Sequence, residues 1–145
     1  MNKIIKKPWG REIWLEDGSK TPYALKHILF LQGNRTSLQV HRYKCETIYV
    51  TSGTGKLYRS VTEFDIDKFL EEGMTKEEVE AYENQFEVIE LYPGVSFTNT
   101  PGIVHRVVAT TDLEFIEAST TELDDVIRLQ DDSNRSNGRI NSEHQ

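Results

Sequence analysis

Gly33-Asn-Arg-Thr-Ser-Leu-Gln39-Val-His41-Arg-Tyr-Lys-Cys-Glu46-Thr-Ile-Tyr-Val-Thr-Ser-Gly53 packs a glutamine, a histidine and a carboxylate between two glycines. Gln39 and His41 stand two apart on a predicted strand, so pleat alternation puts both side chains on one face. Glu46 lies five residues beyond His41, which on a continuous strand sends it to the opposite face. Convergence therefore requires a reversal, and a hairpin at Arg42-Tyr43-Lys44-Cys45 is expected to provide it. From Glu46 onward the alternation Glu46, Ile48, Val50 defines an inward face, with Thr47 and Tyr49 pointing away.

A second stretch completes the set. In Pro93-Gly94-Val-Ser-Phe-Thr-Asn-Thr-Pro101-Gly102-Ile-Val-His105, two Pro-Gly turns bracket a short strand, and the second turn delivers His105 to the start of the next strand. Gln39, His41, Glu46 and His105 then offer two imidazoles, a carboxylate and an amide oxygen. That donor set suits zinc, with manganese, cobalt, nickel and iron(II) as alternatives.

Around these stretches the chain reads as short strands: Ile13-Trp14-Leu15, Tyr23 to Leu31, Ser37 to His41, Glu46 to Thr51, Phe86 to Leu91, Val95 to Asn99, His105 to Ala109 and Leu113 to Ser119. β-branched and aromatic residues alternate within them and Gly, Asp, Asn and Ser separate them. With no crossover helices between, they predict an all-β antiparallel sandwich or barrel. Residues 62–85 differ: one short helix ends at Gly73, and Thr75-Lys-Glu-Glu78 has the spacing of a capping box. A helical hairpin is expected there, burying Phe64, Phe69, Leu70, Met74, Val79 and Tyr82. Residues 1–130 are read as one barrel domain and 131–145 as a polar, flexible tail.

Composition narrows the function. A net charge of -7 and a pI near 5.1 give no general pull toward nucleic acid or anionic membranes. The single Cys45 admits neither an internal disulfide nor a thiolate zinc cluster. No segment has the roughly 20 apolar residues of a membrane span, and Met1 to Lys7 lacks a signal-peptide apolar run, so a cytoplasmic protein is expected.

The pattern G-x5-[H/Q]-x-H-x4-E-x6-G followed by P-G-x5-P-x-G-x2-H resembles the two motifs of the cupin superfamily, with Gly33, Gln39, His41, Glu46, Gly53, Pro93, Gly94, Gly102 and His105 in register. It departs at Thr100 and Ala109, where cupins often carry proline and asparagine. Lys7-Pro8-Trp9-Gly10, Tyr23 to Lys26, Ser37 to His41, Glu46, His105-Arg106, Ile116-Glu117 and Asp124 to Leu129 further resemble the type II phosphomannose isomerase domain of bifunctional mannose-1-phosphate guanylyltransferases. Tyr43 to Ile48 depart from that family's pattern, which has an arginine, a histidine and a tryptophan there.

The resemblance implies a cupin jelly-roll barrel, a homodimer, and a metal-dependent isomerase converting an aldose phosphate to a ketose phosphate through a cis-enediol, most simply mannose 6-phosphate and fructose 6-phosphate. On it, Lys26, Lys44 and Glu117 are the general acid/base candidates, and Arg35, Arg106 and Arg128 the substrate-binding cations for phosphate. Strand alternation turns Arg106 away from His105. Asp124 and Asp125 are expected to cap a turn or short helix, and Trp9 and Trp14 to pack against the barrel. The alternatives are a non-catalytic or regulatory sugar-binding metallo-cupin and an iron-dependent oxygenase, the latter disfavoured by Gln39.

Overall fold

A computed structural model describes residues 2–131 and the backbone of 138–140. Strands β1 (Lys3–Lys7), β2 (Gly10–Asp17), β3 (Ala24–Phe30), β4 (Leu38–Val40), β5 (Glu46–Ser52) and β6 (Gly55–Arg59) precede two helices, α1 (Ile66–Glu72) and α2 (Lys76–Glu83). Strands β7 (Glu87–Leu91), β8 (Ser96–Asn99), β9 (His105–Ala109), β10 (Leu113–Ser119), β11 (Val126–Gln130) and β12 (Gly138–Ile140) follow. They form two six-stranded sheets, in the orders β1-β2-β3-β10-β5-β8 and β12-β11-β4-β9-β6-β7, with antiparallel pairing throughout. This is the expected all-β, cupin-like barrel.

The sheets face each other across a core formed by Ile28 and Phe30 of β3, Ile48 and Val50 of β5, Leu57 of β6, Val107 and Ala109 of β9, and Leu113 and Phe115 of β10, with Trp9 stacked on Phe30 at 4.3 Å. Alternation builds it: β5 reads buried, exposed, buried, exposed, buried from Glu46 to Val50, as a strand with one wet face must. Gly53 turns β5 into β6 with φ +83°, and a Cβ there would meet the Asp112 carbonyl oxygen at 1.9 Å. Only glycine fits.

A second core lies outside the barrel, where the helical hairpin covers the β11-β4-β9 sheet. Ile66, Phe69, Val79 and Phe86 pack on Leu38, Val40, Val104, Ile127 and Leu129. Gly73 ends α1, and Thr75 and Glu78 close the capping box of α2. Leu70 departs from the expected stripe: one residue beyond Phe69, it rotates off the buried face and is 43% exposed.

Three further differences are physical. β4 and β5 do not form a hairpin; they lie in opposite sheets, so Arg42–Cys45 carries the chain across the barrel end. Lys3–Lys7, Gly55–Arg59 and Val126–Gln130 are strands, too charged or too short on alternation to announce themselves. Gly138–Ile140 pairs with β11, so part of the stretch expected to be a flexible tail is in the sheet; positions 132–137 and 141–145 lie outside the described residues.

Candidate metal centre and active site

One end of the barrel interior is polar. His41, the residue just past β4, and His105, at the start of β9, come from one sheet, and Glu46, at the start of β5, meets them from the other. Their ligand atoms all lie within 4.8 Å of one another, and all three side chains are buried. The turn between His41 and Glu46 is held from below: the Asp125 carboxylate accepts the backbone N–H groups of Arg42, Tyr43 and Lys44 at 3.1, 2.6 and 2.9 Å. Those bonds hold its pKa below the ordinary carboxylate value, against the effect of its burial. Asp125 is thus a turn-holder, within the expectation that it caps a turn. Gly102, at φ +86°, donates its N–H to the His41 carbonyl at 2.8 Å and ties the second motif to the first.

Backbone carbonyls set both imidazoles. His41 Nδ1 lies 2.6 Å from the Asp125 carbonyl oxygen and His105 Nδ1 lies 3.0 Å from that of Ile103. A carbonyl only accepts, so Nδ1 carries the proton and Nε2 is turned inward, the usual outer support of a metal-bound histidine. His41 Nε2 stands 2.8 Å and His105 Nε2 3.5 Å from the same Glu46 oxygen, and His105 Nε2 has no hydrogen-bond partner. Burial lowers the pKa of His41 despite Glu46, favouring neutral imidazole. Burial alone would raise Glu46, but the Lys44 ammonium and the two imidazoles outweigh it and hold the carboxyl well below its ordinary value. Two inward nitrogen lone pairs around a carboxylate oxygen repel unless a cation sits between them, so the residues fit a divalent metal. Gln39, the fourth expected ligand, pairs directly across from His105 and lines the same cavity; its Oε1 accepts from Ser37 Oγ at 2.9 Å.

The cavity, about 70 Å³ in volume, is also lined by Lys26, Lys44 and Glu117. The structure brings these three acid/base candidates together. Glu117 Oε2 lies 3.5 Å from Lys44 Nζ and 3.9 Å from Lys26 Nζ. Burial pushes the Glu117 carboxyl up to about 7, with the negative charge of Glu46 adding to it and Lys44 and Lys26 opposing. Lys44, although buried, is raised by the carboxylates of Glu117, Glu46 and Glu12 and stays charged.

Two residues of this wall carried no expectation. Glu12 sits 3.5 Å from Lys26 Nζ and accepts from Trp14 Nε1 at 2.9 Å, while Lys26 also lies over the Trp14 ring at 4.6 Å. Trp14 thereby does more than pack. Asn99 ends β8 directly opposite Glu46, lines the cavity, and is 1% exposed with neither its amide nitrogen nor its oxygen bonded to protein. Each unmade bond of this kind costs about 1–3 kcal/mol. The signal in the sequence was a polar residue at an inward strand position two before the Pro-Gly turn.

The arginines expected to bind phosphate do not line the cavity. Arg106 turns outward, as alternation required, donating to the Thr36 carbonyl at 3.1 Å and to the Glu83 carboxylate of α2 at 3.2 Å; it fastens the helical hairpin. Arg35 lies with it along that outer groove. Arg128 is buried and in register with Gln39, on the same face but outside the cavity lining. Cys45, half-buried, donates its backbone N–H to Thr120 Oγ1.

No helix among the described residues is long and apolar enough to cross a membrane. Among proteins of curated function, none matches the sequence. Among solved structures, the capsular polysaccharide assembling protein CapF of Staphylococcus aureus is similar at 17% identity and TM-score 0.62, over 90% of this chain and 32% of its own. The chain thus spans about a third of that protein. KdgF of Halomonas sp. is similar at 18% identity and TM-score 0.59, over 85% of this chain and 89% of its own. Bacillus subtilis oxalate decarboxylase, a protein with Mn(II) centres, is similar at 14% identity and TM-score 0.63, over 88% of this chain and 30% of its own. At such identities the likeness is one of fold. The sequence itself matches the D-lyxose isomerase family over residues 10–138, a cupin-fold sugar isomerase family and not specifically the type II phosphomannose isomerases that the motif order resembles. With that match covering most of its length and a cavity able to hold a metal, the chain belongs to the D-lyxose isomerase family.

Proposed function

We propose that this chain is a metal-dependent aldose-ketose isomerase that moves a proton between C1 and C2 of an open-chain sugar through a cis-enediol. One observation carries the reading: the His41–Glu46–His105 cluster and the Lys26–Glu117–Lys44 chain share one cavity. A metal bound by His41, Glu46 and His105, with Gln39 beside them, supplies charge stabilisation for the oxygens on C1 and C2. Glu117, near 7, takes the proton from C2 of the aldose and returns it to C1 on the same face, because a general base works best when its pKa lies near the working pH. Lys44 donates a proton to O1 and recovers one from O2, which balances the transfer. Glu12 and Trp14 fix Lys26, and the apolar wall of Trp9, Phe30 and Phe115 limits water at the reacting carbons.

A free aldose of the D-lyxose type is the substrate best supported, since no arginine lines the cavity among the described residues. D-Lyxose and D-mannose share their configuration from C2 to C4, so the mannose 6-phosphate to fructose 6-phosphate reading remains the second; Lys7, which lines the cavity, is the cation that favours it. Zinc is the metal favoured by two imidazoles and a carboxylate, with manganese next. A homodimer through the outer face of the β1-to-β8 sheet, where Ile4, Leu15 and Tyr49 are exposed, belongs to the same reading.

The test is to load the purified protein with each metal and assay D-lyxose, D-mannose and mannose 6-phosphate, with Glu117→Gln and His105→Ala beside the parent. Turnover of one sugar, lost in both variants, is expected. If the metal-replete parent converts none of them, the isomerase reading gives way to a non-catalytic sugar-binding metallo-cupin. Oxygen consumption with a sugar would promote an oxygenase. Sedimentation velocity reads the oligomer.

A further inference from the structure

We infer that Asn99 is a substrate-binding residue, its side-chain amide taking one hydroxyl of an acyclic polyol beside the metal cluster. The inference deepens the isomerase reading, on which only its kinetic arm rests.

Three observations converge. Asn99 ends β8 in direct register with Glu46, so the two side chains project side by side from the same sheet face. The side chain lines the cavity that holds His41, Glu46 and His105. It is 1% exposed, and neither Nδ2 nor Oδ1 has a protein partner. Buried amides in folded proteins are bonded as a rule, and an exception calls for a ligand or a function. A leucine of similar size would fill the same inward position, next to Phe97, at no such cost, so packing alone does not account for an amide there.

The chemistry of the ligand follows from the group. A primary amide presents two donors and an acceptor on adjacent atoms. A hydroxyl is both a donor and an acceptor, and it pairs with an amide reciprocally without requiring charge. An anion would use only the donors and would be repelled by Glu46 alongside; an ammonium would use only the acceptor and compete with Lys44. An uncharged polyhydroxyl chain reaching from the metal cluster is the ligand that satisfies both ends of the amide.

Binding of D-arabinitol, the polyol of D-lyxose, to the metal-loaded parent and to Asn99→Leu decides the matter by calorimetry, with metal content and thermal unfolding measured on the same samples. The expected result is unchanged metal content, a melting temperature equal to or above the parent's, and a Kd raised at least about 10-fold, with kcat/KM for D-lyxose lower by about 10²-fold. Equal Kd in parent and variant, or no polyol binding by the metal-loaded parent, overturns the inference. Should Asn99→Leu not fold, Asn99→Ser, which shortens the side chain and keeps one hydroxyl, takes its place with a smaller expected rise in Kd. The two readings separate cleanly: Asn99-dependent polyol binding without turnover removes the isomerase and keeps this inference, whereas turnover insensitive to Asn99 does the reverse.

Discussion

The two ends of the barrel interior are made by the same strands and have opposite chemistry. Along β3 the inward residues include Lys26, Ile28 and Phe30; along β5 Glu46, Ile48 and Val50; along β9 His105, Val107 and Ala109; along β10 Glu117, Phe115 and Leu113. All of them are buried or nearly so. Each of these four strands thus sets a titratable residue on the polar side of two inward apolar ones. The apolar end gains roughly 25 cal/mol for each Å² removed from water, while the polar end carries charges that burial penalises. Stability made at one end lets the other hold groups that folding alone would not select.

The largest effect that should break this comparison is chemical. Glu117→Gln is expected to lower kcat by about 10²–10⁴-fold, the usual worth of a general acid/base, with metal content intact; a loss under tenfold would remove Glu117 from the role. Next, Leu57→Ala at the apolar end, a fully buried position, should cost about 2–5 kcal/mol in urea unfolding yet leave the metal affinity of the folded protein unaltered. If metal binding falls in step with it, the two ends are not separable.

Asp125→Ala tests what holds the polar end together. It removes the acceptor of three backbone N–H groups, and about 1.5–3 kcal/mol of stability with a 10- to 100-fold weaker metal affinity is expected. Measuring both by titration with a chelator and by unfolding shows whether the turn and the ligand are one unit.

A pH series sharpens the contrast further. In the metal-free protein Glu117 is raised from 4.5 to about 7, so between those values the folded form keeps a proton that the unfolded chain has lost. Stability therefore falls as the pH rises from about 4.5 to 7, and levels off above it. Glu117→Gln should flatten this slope; an unchanged slope would place the titration elsewhere. The smallest effect is expected far from both ends: Thr75→Ala opens the capping box of α2 and should cost about 1 kcal/mol, with metal binding and turnover untouched.

Much of the site was legible because its residues have few other reasons to be where they are. A histidine, a carboxylate and a second histidine at inward positions beside glycine-bearing turns announce a metal cluster, and alternation gave the correct outward direction for Arg106. Lys26 and Glu117 were legible only through the resemblance to sugar isomerases. The strand at Gly55–Arg59 was missed because Lys56 and Arg59 mask its alternation, and Leu70 was misassigned because a seven-residue helix leaves little periodicity to read. Glu12 gave no local signal, and Asn99 only that of a polar residue at an inward strand position; what either does depends on its neighbours across the sheet.

The sequence by itself determined which face turns inward on the strands whose alternation is clear, where the helical hairpin interrupts the barrel, and which side chains can ligate a metal. Those properties depend on spacing within a few residues, the pleat period and the capping pattern, and so need no distant partner. Only the tertiary structure decided that Arg42–Cys45 crosses between sheets instead of forming a hairpin, that Asp125 holds that crossing, and that Asn99 stands beside Glu46. Strand pairing is set by contacts far apart in the chain, and alternation, which fixes a face, is silent on the neighbour that shares it.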